Sequence, residues 1–459
     1  MNKNYFFCGI GGSGMLPLAA IIKARGADVS GSDRSLDAGR MSSKFDYLRR
    51  LGIDLYEQDG TGLKDGQVLV ASAAVEDTVP DMVRAEELGL TRRTRPELLA
   101  DLLNEAATSI AIGGTSGKST VTGMTAWILH EAGRDPTAMN GAVMKNFATP
   151  EAPFASALVG DPDLFVSEVD ESDGSIALYR PTVALVNNIS LDHKSMEELR
   201  QLFGDFLRAG NKAIYNADDA EARGIAPDDA LGFGFADDAD YRASDLTEDA
   251  HQTRLTLHHQ DDALAVTVPM PGRHNAMNGL AAIAAAHQAG VELPVAIAAL
   301  ASFAGLKRRY ELVGEAAGVA VIDDFGHNPD KAAATLRTAR ATGRRLHIMF
   351  QPHGYGPLKQ MGDELAEVFA DLMDKNDRLY VPDPVYQGGT VNRERGGAWL
   401  AAEVKRHGGN AVHHPDREAL AAMILEDVGE GDMILVMGAR DDSLIAYAHD
   451  FVTKLEERA

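Results

Sequence analysis

Residues Ser109-Ile110-Ala111-Ile112 form a short apolar run that ends in Gly113-Gly114-Thr115-Ser116-Gly117-Lys118-Ser119-Thr120. Beyond it, Val121, Met124, Ile128, Leu129 and Ala132 recur at helical spacing. A strand that turns through glycines into a helix opening on Lys-Ser is a phosphate cradle. Backbone N–H groups and the helix N-terminus face the anion, and the lysine adds a point charge. Ser119 then offers its hydroxyl to a magnesium ion. The strict pattern wants glycine at 112, where this chain has Ile112. The plain alternative is a glycine turn that merely joins strand to helix. The full Gly-Lys-Ser context favours a nucleoside triphosphate site lined by Gly114, Thr115, Ser116, Gly117, Lys118, Ser119 and Thr120.

A chain of 459 residues predicts about three domains. Against 44 Lys and Arg stand 68 Asp and Glu, a net charge of -24, which argues against a nucleic-acid binder. An anionic substrate must then be held by local glycine loops, arginines and Mg²⁺ against an unfavourable overall field. The single cysteine, Cys8, excludes an internal disulfide, fits a reducing compartment and reads as a small core residue. No apolar run approaches the length of a membrane span, and no export signal opens the chain. A cytoplasmic protein with no membrane insertion is expected.

At the amino terminus, Tyr5 to Cys8 reads as a strand and leads into Gly9-Ile10-Gly11-Gly12-Ser13-Gly14 and an apolar helix to about Ala24. This is G-x-G-x-x-G in a strand–turn–helix setting. A second strand, Asp28 to Gly31, ends near the acid Asp33, and a third runs from Val68 to Ser72. By pattern alone this Rossmann-type half could hold NAD, FAD or another pyrophosphate. Short helices and turns from Asp77 to Leu103 close a first domain at 1–107.

A second domain, 108–305, begins with the cradle. Leu164-Phe165-Val166 runs into Ser167-Glu168-Val169-Asp170-Glu171-Ser172-Asp173, a strand ending in carboxylates where a magnesium ligand belongs. A solvated acidic loop is the alternative. The strand Val183 to Val186 ends at Asn187 to His193, so His193 is a candidate metal or phosphate ligand. Leu255 to His259 and Ala263 to Val268 read as a hairpin, with His258 and His259 at the surface. Asn275 and Asn278, at the start of an Ala-rich helix, offer the paired donors and acceptors that an adenine edge requires. A third domain, 306–459, repeats the α/β pattern. Strands are expected at Gly318 to Asp324, Leu346 to Phe350, Arg378 to Val381 and Met433 to Met437, and helices at Gly362 to Met373 and Arg417 to Ile424. Loops at strand ends are expected to carry His327, His353, Lys359 and Arg440.

Three α/β units with a triphosphate site in the middle one resemble the Mur ligase family of peptidoglycan synthesis. The resemblance is carried by Gly9 to Met15, Gly114 to Thr120, Glu168 to Asp173 and Asn188 to His193. It continues through Gly272-Arg273-His274-Asn275 with Asn278, Arg308-Arg309-Tyr310-Glu311, Asp323 to Pro329 and Gln351-Pro352-His353. Within the family, the first glycine loop and the acidic segment are similar to the branch that joins L-alanine to UDP-N-acetylmuramate. A branch that attaches a whole peptide in recycling is a near relative.

The resemblance implies an ATP-dependent carboxylate–amine ligase working through an acyl phosphate, with ATP and Mg²⁺ as cofactors. Its partners would be a UDP-N-acetylmuramate-type substrate and an amino acid or peptide, in a monomer or homodimer. Lys118 would hold the β- and γ-phosphates, Ser119 and Glu168 one metal, and His193 a second. Asn275 and Asn278 would contact adenine, Arg309 the γ-phosphate and Asp324 the nucleotide, while His327 would lie near the acceptor. Gly9, Gly11, Gly12, Ser13 and Gly14, with Asp33 and Ser72, would hold the UDP moiety, not NAD.

Three departures from the family pattern stand out. Ser116-Gly117-Lys118-Ser119 replaces His-Gly-Lys-Thr and keeps the metal hydroxyl. Asn328 replaces a second histidine. Gly354-Tyr355-Gly356-Pro357-Leu358-Lys359 stands where arginines usually follow Gln-Pro-His, which removes bidentate forks as well as charge. The amine pocket therefore reads as rewritten. A non-catalytic nucleotide-binding relative is the reading from a different class.

Overall fold

The computed structural model describes residues 4–72, 75–191, 194–384, 393–439, 441 and 443–458. Among them three sheets form. The first contains β1 (Asn4–Cys8), β2 (Asp28–Ser32), β3 (Asp54–Tyr56), β4 (Val68–Ala71) and β5 (Thr91–Thr94), in the order β3-β2-β1-β4-β5. All its pairings are parallel. The order reverses between β1 and β4, and ligands of open α/β sheets bind outside the strand ends at such a switch. The expected turns between Asp77 and Leu103 contain an unforeseen strand, β5. Its sequence, Thr91-Arg92-Arg93-Thr94, is polar and mostly exposed because it lies at the sheet edge.

The second sheet holds β6 (Thr108–Gly113), β7 (Pro136–Met139), β8 (Ala157–Leu158), β9 (Asp161–Glu168) and β10 (Val183–Val186). It continues with β11 (Lys212–Asn216), β12 (Leu231–Gly234), β13 (Tyr241–Glu248), β14 (Thr253–His259) and β15 (Asp262–Val268). The order is β15-β14-β13-β12-β11-β10-β6-β9-β7-β8. The expected hairpin is β14–β15, turning through Gln260 at φ 52°. His258 and His259 are both partly exposed; His259 stacks on Tyr241 with ring centroids 4.4 Å apart, and His258 bonds Ser244 Oγ at 2.8 Å.

These two sheets lie in one compact unit, Met1–Thr247 with Thr253–Gly305. A single apolar cluster runs from Tyr5 and Phe7 through Leu99, Leu102 and Leu103 to Phe165, Val186 and Phe203. Cys8 is buried, as read from its apolar run. The helix Arg95–Glu105 supplies the middle of the cluster, because its Leu98, Leu99, Leu102 and Leu103 fall at i, i+1, i+4 and i+5.

The second unit, Leu306–Ala459 with Glu248–Gln252, carries the third sheet. Its strands are β16 (Glu311–Ala316), β17 (Val319–Asp324), β18 (Leu346–Gln351), β19 (Arg378–Val381), β20 (Ala411–His413) and β21 (Met433–Gly438), in the order β16-β17-β21-β18-β19-β20. Only β16 is antiparallel to its neighbour. The helix expected from Gly362 starts at Tyr355 and ends at Leu372, so Lys359 is an exposed helical residue and not part of a loop. No helix among the described residues is long and apolar enough to cross a membrane.

Candidate functional site

β6 lies between β9 and β10, all parallel, with Ile112 opposite Glu168 and Gly113 opposite Val186. The loops after these strands therefore leave one sheet edge together. Gly117, at φ 83°, starts the helix Lys118–Glu131, and a Cβ there would lie 2.4 Å from Asn187 Nδ2 and 2.5 Å from Asn278 Oδ1. Only glycine fits both the backbone and the space. Thr115 N donates to the Asn188 carbonyl at 3.0 Å, and Ser116 N to Asn188 Oδ1 at 2.9 Å. The Ser116 carbonyl in turn accepts from Asn187 and Asn188 side chains at 3.0 and 2.9 Å. The cradle is thus shaped by residues 187–190, while the first-turn N–H groups of the helix have no intrahelical partner and suit an anion.

Lys118 Nζ lies 2.6 Å from Glu171 Oε2. Burial pulls the ammonium pKa down, but Glu171, Asp170 and Glu168 outweigh it and hold it above its ordinary value. Asp170 shows the complement: burial pushes its carboxyl up, and Lys118, the Ser172 hydrogen bonds and Arg95 bring it below the usual range. Ser119 Oγ donates to Glu168 Oε2 at 2.7 Å. A Cβ on Gly141 would meet Glu168 Oε1 at 2.0 Å, so this glycine clears the space that the carboxylate occupies. A hydroxyl and a carboxylate converging beside a phosphate cradle fit Mg²⁺, which takes one or two protein oxygens and keeps its other positions for water and phosphate. His193, expected to hold a second metal, lies outside the described residues. No group of three or more His, Cys, Asp or Glu able to hold a metal occurs among those described.

Asn275 and Asn278 sit beside this cradle, 2% and 4% exposed. Asn278 Oδ1 accepts from Asn187 at 2.9 Å, and Asn275 Nδ2 donates to the Pro271 carbonyl at 2.7 Å. These amides brace the phosphate loop. That bracing role is invisible in the sequence, where only their spacing can be read.

In the first sheet, Gly9 at φ 81° turns the chain out of β1. Asp33 Oδ2 accepts from Gly11 N at 2.9 Å, and its Oδ1 accepts from Ser35 N at 2.7 Å. The acid that a dinucleotide site would offer to a ribose is engaged in holding the glycine loop. Gly12 N donates to the Gly9 carbonyl, Ser13 is exposed and Gly14 precedes the helix Met15–Ala24. Ser72 follows β4 on the other side of the switch point.

The second unit holds Arg309, Asp324 and His327 together. Arg308 and Tyr310, both at positive φ (60° and 49°), flank Arg309. The buried Arg308 side chain donates to the carbonyls of Gly438 at 2.6 Å and Asp441 at 3.3 Å and pairs with Asp323 at 3.4 Å. Burial pushes the Asp323 carboxyl up to about 6 despite Arg308. Asp324 accepts from Tyr310 N, Gly326 N and Thr335 Oγ1, each at 2.8 Å, so Oδ2 fixes the turn that presents Arg309 while Oδ1 holds the turn after β17. Arg309 itself lies over the Phe325 ring at 4.5 Å.

His327 Nδ1 is 3.0 Å from the Phe325 carbonyl and therefore donates to it, leaving a lone pair on Nε2. Burial, then the charges of Lys331, His353 and Arg309, lower its pKa to about 3, against the Phe325 hydrogen bond. The His353 ring lies 5.3 Å away. Asn328 caps the helix Pro329–Arg340 through Lys331 N at 2.9 Å, which explains a cap-forming residue there in place of histidine. Arg440 lies outside the described residues.

The chain matches the Mur ligase family catalytic domain over residues 4–106, the Mur ligase middle domain over 112–286 and the Mur ligase glutamate ligase domain over 308–440. It is 35% identical to a UDP-N-acetylmuramate–L-alanine ligase of Oleidesulfovibrio alaskensis, covering 94% of each chain. A protein of the same name from Anaeromyxobacter dehalogenans is 36% identical, covering 95% of this chain and 94% of the relative. Among solved structures, UDP-N-acetylmuramate–alanine ligase MurC of Thermotoga maritima superposes with a TM-score of 0.82 at 25% identity, covering 99% of this chain and 100% of that one. A murein peptide ligase of Psychrobacter arcticus superposes with a TM-score of 0.69 at 25% identity, covering 99% of both chains. With its lysine–serine phosphate cradle, its carboxylate beside the serine and matches along nearly its whole length, the chain belongs to the Mur ligase family.

Proposed function

We propose that this chain is a cytoplasmic, ATP-dependent ligase that forms an amide between the lactyl carboxylate of UDP-N-acetylmuramate and L-alanine, a step of peptidoglycan precursor synthesis. Residues 1–107 take the UDP sugar, 108–305 the ATP and 306–459 the incoming amine. The observation that carries this reading is that Lys118, paired with Glu171, stands beside the Ser119–Glu168 hydrogen bond where β6 and β9 end.

A carboxylate resists an amine until one of its oxygens becomes a leaving group. Transfer of the γ-phosphoryl group to that oxygen gives an acyl phosphate and ADP. The amine nitrogen, as the free base, then attacks the acyl carbon, phosphate leaves with the electrons of the C–O bond, and the proton lost by the nitrogen passes to the departing phosphate. Lys118 and the first-turn N–H groups offset the negative charge of two anions brought together. Ser119 and Glu168 would hold Mg²⁺, which when bound neutralises phosphate charge. In the second unit, the Nε2 lone pair of His327 accepts a hydrogen bond from the incoming amine.

The test is phosphate release with purified protein. It should require UDP-N-acetylmuramate and L-alanine together, and Lys118→Ala should lower it by about 10²–10³-fold or more. Release with neither L-alanine nor an L-Ala-γ-D-Glu-peptide would sink the assignment. A second reading, the peptide-adding recycling branch, draws on Gly354 to Lys359, which lacks the arginines expected beside a small amino acid's carboxylate. Product mass separates the two.

A further inference from the structure

Arg95 opens the helix Arg95–Glu105 directly after β5. A Cβ on Gly14 would lie 2.9 Å from its Cδ and 3.2 Å from its Nε, so the arginine crosses the end of the first glycine loop. Its neighbours are satisfied: Arg92 pairs with Asp77 at 2.7 Å and Arg93 with Asp101 at 2.5 Å. Arg95 is half-buried, and among the described residues it makes no hydrogen bond or ion pair. Its charge still acts on the second sheet's acidic loop. Asp170 and Tyr179 both feel that charge. Arg95 therefore stands between the glycine loop of one sheet and the acidic loop of the other, with its fork of donors unclaimed.

A guanidinium taken partly out of water with no carboxylate on it is costly unless an anion completes it. Its planar fork matches two oxygens of a phosphate. The acidic loop cannot be that partner, since Asp170 feels Arg95 only through space. Gly14, by contrast, ends the loop to which a nucleotide sugar's diphosphate belongs. We infer that Arg95 is a binding residue for the diphosphate of the nucleotide-sugar substrate, completing the grip of the glycine loop at Gly14. This rests on the reading above that the substrate is a UDP sugar. The lactyl carboxylate is the less suited anion, because it must receive the γ-phosphoryl group from the cradle, whereas Arg95 lies against Gly14.

Calorimetric titration with UDP, on full-length protein whose cradle is saturated with ADP and Mg²⁺, tests this directly. Arg95→Ala should weaken UDP binding by about 10- to 100-fold. Arg95→Lys, a point charge without the fork, should recover part of the loss. ADP affinity, measured separately, should be unchanged in both variants, which also reports that they are folded. UDP binding by Arg95→Ala at wild-type strength overturns the inference. So does an equal loss of ADP affinity, which would make Arg95 a brace for the acidic loop. Failure of the wild-type protein to bind UDP removes the UDP-sugar reading itself, an outcome distinct from either.

Discussion

Lys118 and Glu171 hold each other with side chains 18% and 4% exposed. A phosphate that is to accept from Lys118 must share or displace that carboxylate, so part of the binding energy of ATP goes into breaking a buried pair. Glu171→Gln keeps the shape and removes the competing charge. We expect it to bind an ATP analogue about three- to tenfold more tightly; weaker binding would mean that Glu171 assists the nucleotide. His327 supports a second prediction at this scale. Its folded pKa of about 3 lies below the ordinary histidine value, so between those limits the unfolded chain binds more protons. The stability due to the neutral ring is present above about pH 6.5 and is lost as pH falls, by at most about 1.4 kcal/mol per pH unit. Asp323, raised to about 6, works the other way, since its protonation favours the folded state as pH falls below that value. Comparing wild type with His327→Gln in denaturant melts from pH 7 to pH 4 isolates the histidine. The variant should lose less stability on acidification, and parallel curves would refute the assignment.

Elements decide which residues meet. β6, β9 and β10 were legible because each is a short apolar run with a turn signal after it, and that alone brings the cradle, the acidic loop and Asn187–Ser190 together. What the acids do was not legible. Glu168, Asp170, Glu171 and Asp173 share one loop, and spacing cannot say that Glu171 faces the lysine while Glu168 faces the serine. β5 was missed because an edge strand needs no apolar face. The helix from Tyr355 was expected seven residues late because Gly354, Gly356 and Pro357 read as loop, although proline is tolerated in a first turn. Asn275 and Asn278 were legible as a pair but not as braces. One contact between elements yields a clean test. Gly141, after β7, leaves Glu168 just enough room, and a methyl group there must push the carboxylate off Ser119. Gly141→Ala should raise the Mg²⁺ concentration needed for half-maximal ATP turnover by about tenfold, with an unchanged melting temperature, because outer support of a metal site typically counts for that much. An unchanged Mg²⁺ requirement would remove Glu168 from the metal's ligands.

At the scale of the whole molecule, the charge opposes the chemistry. A net charge of -24 surrounds sites that must admit ATP and a nucleotide sugar, both anions. Many enzymes with charged substrates gain encounter rate from their overall field and lose it as salt is added. Here the sign is reversed. At about 10 mM ionic strength the screening length is about 30 Å, so the substrate feels the acidic surface on approach; at about 150 mM it is about 8 Å, and local groups such as Lys118 dominate. We therefore expect kcat/KM for the nucleotide sugar, at fixed free Mg²⁺, to rise several-fold between these limits while kcat changes little. The measurement is a set of initial rates at increasing potassium chloride. A fall in kcat/KM over that range would mean that basic groups around the glycine loop, Arg95 among them, outweigh the net charge at every distance that matters for capture.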